Sequence, residues 1–331
     1  MEELIGNDGA KSTLFSAIRN NRCAGCYLIE GAEGTGKLTL ARMAAATIAC
    51  EHREAEGRAC FSCHSCRSIM NGNHIDVIEL RPEENGKAIT VDAVRALLKN
   101  THNTPTEADW HIFIIENCDC MNKQAQNALL KSIEEPYEKT VFFLLTVDKT
   151  KLLPTVKSRS VMLRTEPLSK ELLVSILKKE QFPLQRIEEA AILSGGSLGK
   201  ARDLLQDNEL PRLRNKVLSY FSAIMNGASF TRLCQVISPD YCTRKEFSAL
   251  LPFIKEALRD LICVASGRND SVHFFTDRSM LFDLASIINL PNAVLLFDSV
   301  ENMMLSIEQN ANVFTSVSAL HLAAQNLTKP V

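Results

Sequence analysis

Between residues 24 and 165, uninterrupted apolar runs alternate with stretches in which apolar residues recur every three or four positions. The runs are Ala24–Glu30, Asp76–Leu80, His111–Glu116 and Val141–Thr146, with a short last one at Val161–Leu163. Runs of that length without polar alternation suit strands buried on both faces. The periodic stretches are Lys37–Ala49, Val91–Lys99 and Lys123–Glu135. Each puts its apolar residues on one helical stripe, as with Ala125, Ala128, Leu129 and Ile133, and Pro136 closes the third. Strands alternating with helices predict a parallel α/β sheet.

The pattern changes after Pro167. Ser169 is a helix cap ahead of Leu172, Leu173, Ile176 and Leu177. Ile187–Leu193 and Leu198–Leu205 predict two further short helices, separated by Gly195-Gly196. From about Glu209 onward the periodicity is helical throughout. The division predicted is an α/β core at 1–165, a small helical domain at 166–208 and an all-α domain at 209–331.

Composition excludes more than it selects. The 331 residues are 46% hydrophobic and 23% charged, ordinary for a globular chain. No apolar run has the roughly 18 residues of a membrane span, and the acidic start Met1-Glu2-Glu3 has no signal-peptide pattern, so the expected location is cytoplasmic. Residues 1–150 hold 16 Lys/Arg against 21 Asp/Glu, a net of −5. That gives no electrostatic basis for tight nucleic-acid binding by this chain alone. The 11 cysteines are the oddity, because a cytosolic chain has little use for disulfides.

Gly31-Ala-Glu-Gly34-Thr-Gly36-Lys37 follows a predicted strand and opens a predicted helix, the setting of a phosphate-binding loop. Glycines let backbone N–H groups turn toward a phosphate, and Lys37 is placed to reach the outer phosphates. The hydroxyl that should hold Mg²⁺ is missing, since Leu38 occupies its position. Thr39 comes one residue late, about 100° around the helix. A later strand should end in an acidic pair. His111–Glu116 ends in Glu116-Asn117-Cys118-Asp119, and the neutral amide of Asn117 cannot serve as a general base. The loop and Glu116 are therefore a degenerate nucleotide site, in which retention of ATP or ADP is open.

Cys50, Cys60, Cys63 and Cys66 fall within 17 residues, three of them at two-residue gaps. Four thiolates at that spacing suit a closed tetrahedral Zn²⁺ site, structural because no position is left for water. Iron–sulfur ligation is the rival, although there the fourth cysteine normally lies downstream. His52 and His64 are weaker candidate ligands. The remaining cysteines, Cys23, Cys26, Cys118, Cys120, Cys234, Cys242 and Cys263, read as packing.

The ordered set of motifs resembles the clamp-loader family of bacterial DNA polymerase III, within the AAA+ superfamily, and most nearly its delta-prime branch. The motifs are Leu4–Asn7, Gly31–Lys37, the four-cysteine insertion, His74–Val77, Ile89–Arg95, Asn127–Pro136, Leu153–Arg159, Gly195–Gly199 and Asn310–Asn312. The resemblance implies a parallel five-stranded P-loop-type sheet with helices on both faces and a zinc insertion at about 50–66. A small helical lid and an all-α collar that mediates assembly would follow. It implies that Arg159 is an arginine finger acting in trans on a neighbour's ATP, that Thr146 is the sensor-1 residue, and that Gly199 replaces a sensor-2 arginine. With Leu38, Glu116, Asn117 and Gly199 all altered, the chain is expected to support ATP-dependent loading of the sliding clamp without hydrolysing ATP itself. Implied partners are gamma/tau and delta subunits, the clamp, and primer–template DNA through the assembled complex. The alternatives are a gamma/tau-type ATPase and a zinc-bearing nucleic-acid-binding protein acting alone.

Overall fold

Both faces of the predicted sheet are covered, which is why its strands carry no polar alternation. The structure, a computed structural model, describes residues 4–54, 57–82, 88–102, 104–180, 182–206, 209–237, 244–268, 272, 274–275, 277–308 and 312–328. Its strands are β1 (Cys26–Glu30), β2 (Val77–Leu80), β3 (His111–Ile115), β4 (Thr140–Thr146) and β5 (Val161–Arg164). They form one sheet in the order β2-β3-β4-β1-β5, with every neighbouring pair parallel. All five lie where the apolar runs predicted them, within two residues at each end.

Successive side chains on β1, β3 and β4 enter different cores, as the two-residue period of a strand requires. Tyr27, Ile29, Ile112, Ile114, Phe143 and Leu145 join one cluster with α1 (Asp8–Arg19), α2 (Lys37–Ala49) and α3 (His64–Met70). Cys26, Leu28, Phe113, Ile115, Phe142 and Leu144 join the other, with α4 (Val91–Lys99), α5 (Lys123–Glu134) and α6 (Pro154–Ser158). Helix α2 is buried almost all round, and its alanines at 41, 44, 45, 46 and 49 let its backbone approach its neighbours closely. The Thr90 side chain caps α4 by accepting from Ala93 N, and Asn122 caps α5 by accepting from Ala125 N. Each such cap contributes about 1 kcal/mol.

The chain divides into two compact units, Met1–Ser169 with Gly196–Leu198, and Lys170–Gly195 with Gly199–Val331. The second is helical wherever it is regular, from α7 (Lys170–Leu177), α8 (Leu184–Leu193) and most of α9 (Leu198–Gln206) to α10 (Glu209–Met225) and α11 (Phe230–Ile237). It continues through α12 (Arg244–Ala265), α13 (Arg278–Ile287) and α14 (Leu290–Glu308) to α15 (Val313–Thr328). Its interior is tied by a few buried polar contacts. The buried Asp260 accepts from the backbone N–H of Phe274 and of Phe275 (2.5 and 3.1 Å). Arg214 on α10 bonds Glu189 on α8 and the carbonyl of Phe274. Tyr220 Oη meets His321 Nδ1 at 2.9 Å, and burial pushes the His321 imidazole down to about 4. Among the described residues no single helix is long and apolar enough to cross a membrane. Asn310 and Ala311 of the last motif, and Cys242, lie outside the described residues.

Candidate functional site

Helix α2 has a candidate site at each end. Its N-terminus is capped by Gly36, whose backbone is left-handed (φ 89°), as is that of Gly34 (φ 76°). Side chains are strained in that region, so the glycines here are a backbone requirement. The loop starts directly after β1. Gly31 N donates to Thr146 O at 3.1 Å, bringing Gly31 and the predicted sensor residue together.

The loop interior is occupied by the chain itself. Lys37 is buried, and its ammonium donates back to the carbonyls of Gly31 and Ala32 (2.6 and 2.8 Å). Thr35 Oγ1 donates to Ala32 O and meets Thr165 Oγ1, both at 2.8 Å. A Cβ on Gly31 would lie 2.1 Å from Thr165 Oγ1, and one on Gly34 would lie 2.0 Å from Ser197 Oγ. Asn7 clamps the outside by donating to Thr35 O and accepting from Glu166 N. Leu38 packs against the α2-side core rather than serving the loop. Thr39 sits half-buried in the first turn of α2.

The acidic box separates into two environments. Glu116 is half-buried, and desolvation raises its carboxyl above the usual range against the pull of Arg81, whose Nε lies 3.7 Å away. Its other charged neighbours are Glu79 and Arg42, which form a two-point ion pair at 2.7 Å. Asn117 adopts a left-handed backbone (φ 47°) at the turn that follows. Asp119 points elsewhere. Its Oδ1 accepts from Thr146 Oγ1 at 2.9 Å and from Val147 N at 3.3 Å. Thr146 is fully buried and held to the box by Asp119.

Three contributors escaped sequence reasoning. Gln126 is buried and donates to Met121 O and Lys151 O while accepting from Leu153 N, so it joins α5 to the segment after β4. Arg42 pairs with Glu79 and also donates to Met70 O, tying α2 to β2 and to the end of α3. Asp76 accepts from the backbone N–H groups of residues 106, 107 and 108 at 2.7–2.8 Å. Burial opposes its charge, but those donors outweigh it and hold its carboxyl below the usual range. The signal available for all three was a polar residue set among apolar ones, which does not reveal its partner.

At the other end of α2, Cys50 turns the chain out of the helix with extended backbone. Phe61 takes a left-handed conformation (φ 51°), and Cys63 caps α3 by accepting from Cys66 N. The Sγ atoms of Cys50, Cys60, Cys63 and Cys66 all lie within 4.8 Å of one another. Backbone N–H groups of Cys60, Cys63 and Cys66 point at the preceding sulfurs at 3.3–3.4 Å. A tetrahedral Zn²⁺ with Zn–S near 2.3 Å needs sulfurs about 3.8 Å apart. The 3.6 Å between Cys50 and Cys60 fits that spacing and is far too long for a disulfide. The residues present therefore suit a metal ion bound by four thiolates. Hydrogen bonds from Ser62 push the Cys60 thiol down to about 5, while burial pushes Cys50 and Cys66 up. Neither histidine joins the four-thiol group: His64 is exposed, with Nε2 3.9 Å from Glu107.

Five of the other cysteines are not activated. Burial drives Cys26 up to about 12 and raises Cys23, Cys118, Cys120 and Cys234 as well. Arg159 is not part of the loop site. It caps the C-terminus of α6 just before β5, next to Ser160, whose Oγ lies 3.2 Å from Cys26 Sγ. β1 and β5 are parallel, so Arg159 lies by their N-terminal ends and the loop by their C-terminal ends. Its guanidinium is partly exposed and ion-paired with Glu134 at 2.6 Å. A Cβ at Gly199 would meet open space.

These features can be set beside known proteins. Residues 6–169 match the family model described as DNA polymerase III, delta subunit. A Pseudomonas aeruginosa protein named DNA polymerase III subunit delta' is 40% identical over 178 residues, 53% of each chain. The alignment thus spans about half the length of that relative. A Bacillus subtilis protein of the same name is 28% identical over 261 residues, 78% of each chain. A Haemophilus influenzae protein named DNA polymerase III subunit tau/gamma is 31% identical over 209 residues, 61% of this chain and 29% of that one. Through residues 6–169, the chain is thus similar to the DNA polymerase III delta-subunit family.

Proposed function

We propose that this chain is a non-hydrolysing, delta-prime-type subunit of a DNA polymerase III clamp loader. It would support ATP-dependent loading of the sliding clamp onto primed DNA. The observation that carries this reading is a retained phosphate loop, Gly31–Lys37, that has lost two side chains hydrolysis needs, at Leu38 and Asn117. With Leu38 turned into the core and Asn117 in place of an acid, the site has neither a Mg²⁺ hydroxyl nor a carboxylate to activate water. The degenerate nucleotide site comprises Gly31, Gly34, Gly36, Lys37, Thr39, Glu116 and Thr146, and in this reading it is a structural remnant. Arg159 acts instead on ATP held by an adjacent subunit, where an arginine stabilises the charge of the transferring phosphoryl group.

The four-thiol group holds zinc as a structural ion. Helices α7–α9 form the lid and α10–α15 the collar through which the chain joins gamma/tau and delta subunits. Primer–template DNA is met by the assembled complex. The near-neutral net charge of −2 supports a chain that does not bind DNA alone.

The test is reconstitution with gamma/tau and delta chains. Arg159→Ala is expected to lower ATP hydrolysis of the complex by about 10³-fold or more while assembly is intact. Unchanged hydrolysis would remove the trans role. Mg²⁺-dependent turnover by the isolated chain would favour a gamma/tau-type ATPase instead.

A further inference from the structure

The Arg159 guanidinium is held at two of its three nitrogens. Nε pairs with Glu134 Oε1 at 2.6 Å, and Nη1 donates to Thr155 O at 3.2 Å. Nη1 also lies 3.4 Å from Ser158 Oγ. Among the described residues the guanidinium's hydrogen bonds run through Nη1 alone, its contact with Glu134 is an ion pair, and Nη2 is engaged by neither. Glu134 is the last residue of α5, and Arg159 caps α6, so the pair joins two helix ends. A carboxylate in the last turn of a helix faces the negative end of its dipole, which disfavours it there. Glu134 therefore does nothing for α5 as a helix. What it does is fix the rotamer of a long, flexible side chain.

We propose that Glu134 is the positioning residue for Arg159, holding the Nε edge of the guanidinium so that Nη2 is presented outward to a phosphate oxygen of a neighbouring subunit's nucleotide. The inference rests on the trans role of Arg159 given above. An arginine fixed by a carboxylate at one edge keeps its remaining donors in a set direction and loses less freedom when it meets the phosphate. Glu134 touches neither nucleotide nor reacting atoms and works only through Arg159. The pair is partly exposed, with side chains 38% and 41% accessible, so its effect is that of a surface ion pair.

The experiment compares Glu134→Gln, Arg159→Ala and the double variant, each as the full chain reconstituted with gamma/tau and delta subunits. Steady-state ATP hydrolysis and the melting of each variant chain are measured. Glu134→Gln is expected to lower kcat by about two- to fivefold, the rate equivalent of an exposed ion pair, with KM for ATP unchanged. Tm should not fall, because the change relieves an unfavourable charge at a helix end. In the Arg159→Ala background the same substitution should have no further effect. An unchanged kcat, an equal loss without Arg159, or a loss that accompanies a lower Tm would overturn the proposal. If Arg159→Ala alone leaves hydrolysis unchanged, the trans reading falls first and this one with it.

Discussion

The two ends of α2 are built from equally suggestive sequence, yet they differ in what they leave for a ligand. At the N-terminus, the loop has the glycines and the lysine of a phosphate site. Its lysine is spent on the loop's own carbonyls, and Ser197 stands where a side chain on Gly34 would go. At the C-terminus, four thiols converge, with their sulfurs all within 4.8 Å of one another. A phosphate loop built from backbone still depends on side chains supplied from elsewhere, a hydroxyl and an acid, and here both are replaced. A four-thiolate shell needs nothing beyond its own members. The first site can therefore decay while keeping its outline, and the second cannot.

Three measurements sharpen that contrast. The largest effect should come from Cys60→Ser with Cys63→Ser. Metal analysis is expected to fall from about one zinc per chain to none, with a loss of about 3 kcal/mol or more in the stability of the α/β unit, several degrees in Tm. Iron in place of zinc would revise the ion. Unchanged metal content would remove the site.

Next is the proton balance of metal binding. Hydrogen bonds from Ser62 lower the Cys60 thiol, whereas burial pushes Cys50 and Cys66 up, so those two enter as thiols. Zinc uptake by the apo chain at pH 7 should thus release at least two protons, and affinity should weaken as pH falls. Calorimetry in buffers of different ionisation enthalpy reads the number. Release of none would mean that the buried thiols do not ligate.

The smallest effect is expected at the other end. Lys37→Met should leave ATP hydrolysis of the reconstituted complex within about twofold, since the loop lacks the hydroxyl and the acid that hydrolysis in cis needs. Its cost should appear as about 2 kcal/mol of stability, from losing two charge-assisted hydrogen bonds. A collapse of hydrolysis would make the loop a working site and erase the contrast.

Much of the α/β unit was legible beforehand. The predicted helices Lys37–Ala49 and Val91–Lys99 coincide with α2 and α4 to the residue, because apolar periodicity and cap residues mark both ends locally. The first strand starts at Cys26 rather than Ala24, where Ala24 N instead donates to the hydroxyl of Tyr27 at 3.0 Å. The cysteine group was legible from spacing alone, since a short insertion can bring its own ligands together. Asp119 was not, because its partner Thr146 is 27 positions away and meets it only through the sheet.

Reading along the chain was enough to place the strands and helices, the glycine loop and the thiol group, and to name the chemical groups the nucleotide site lacks. Those follow from local pattern and residue identity. Folding had to bring Lys37 to the loop carbonyls, Asp119 to Thr146, Arg42 to Glu79 and Arg159 to Glu134. Each depends on which of several polar partners a folded chain brings within about 3 Å, and hydrogen bonds and ion pairs at that range are selected by packing, not by position along the chain.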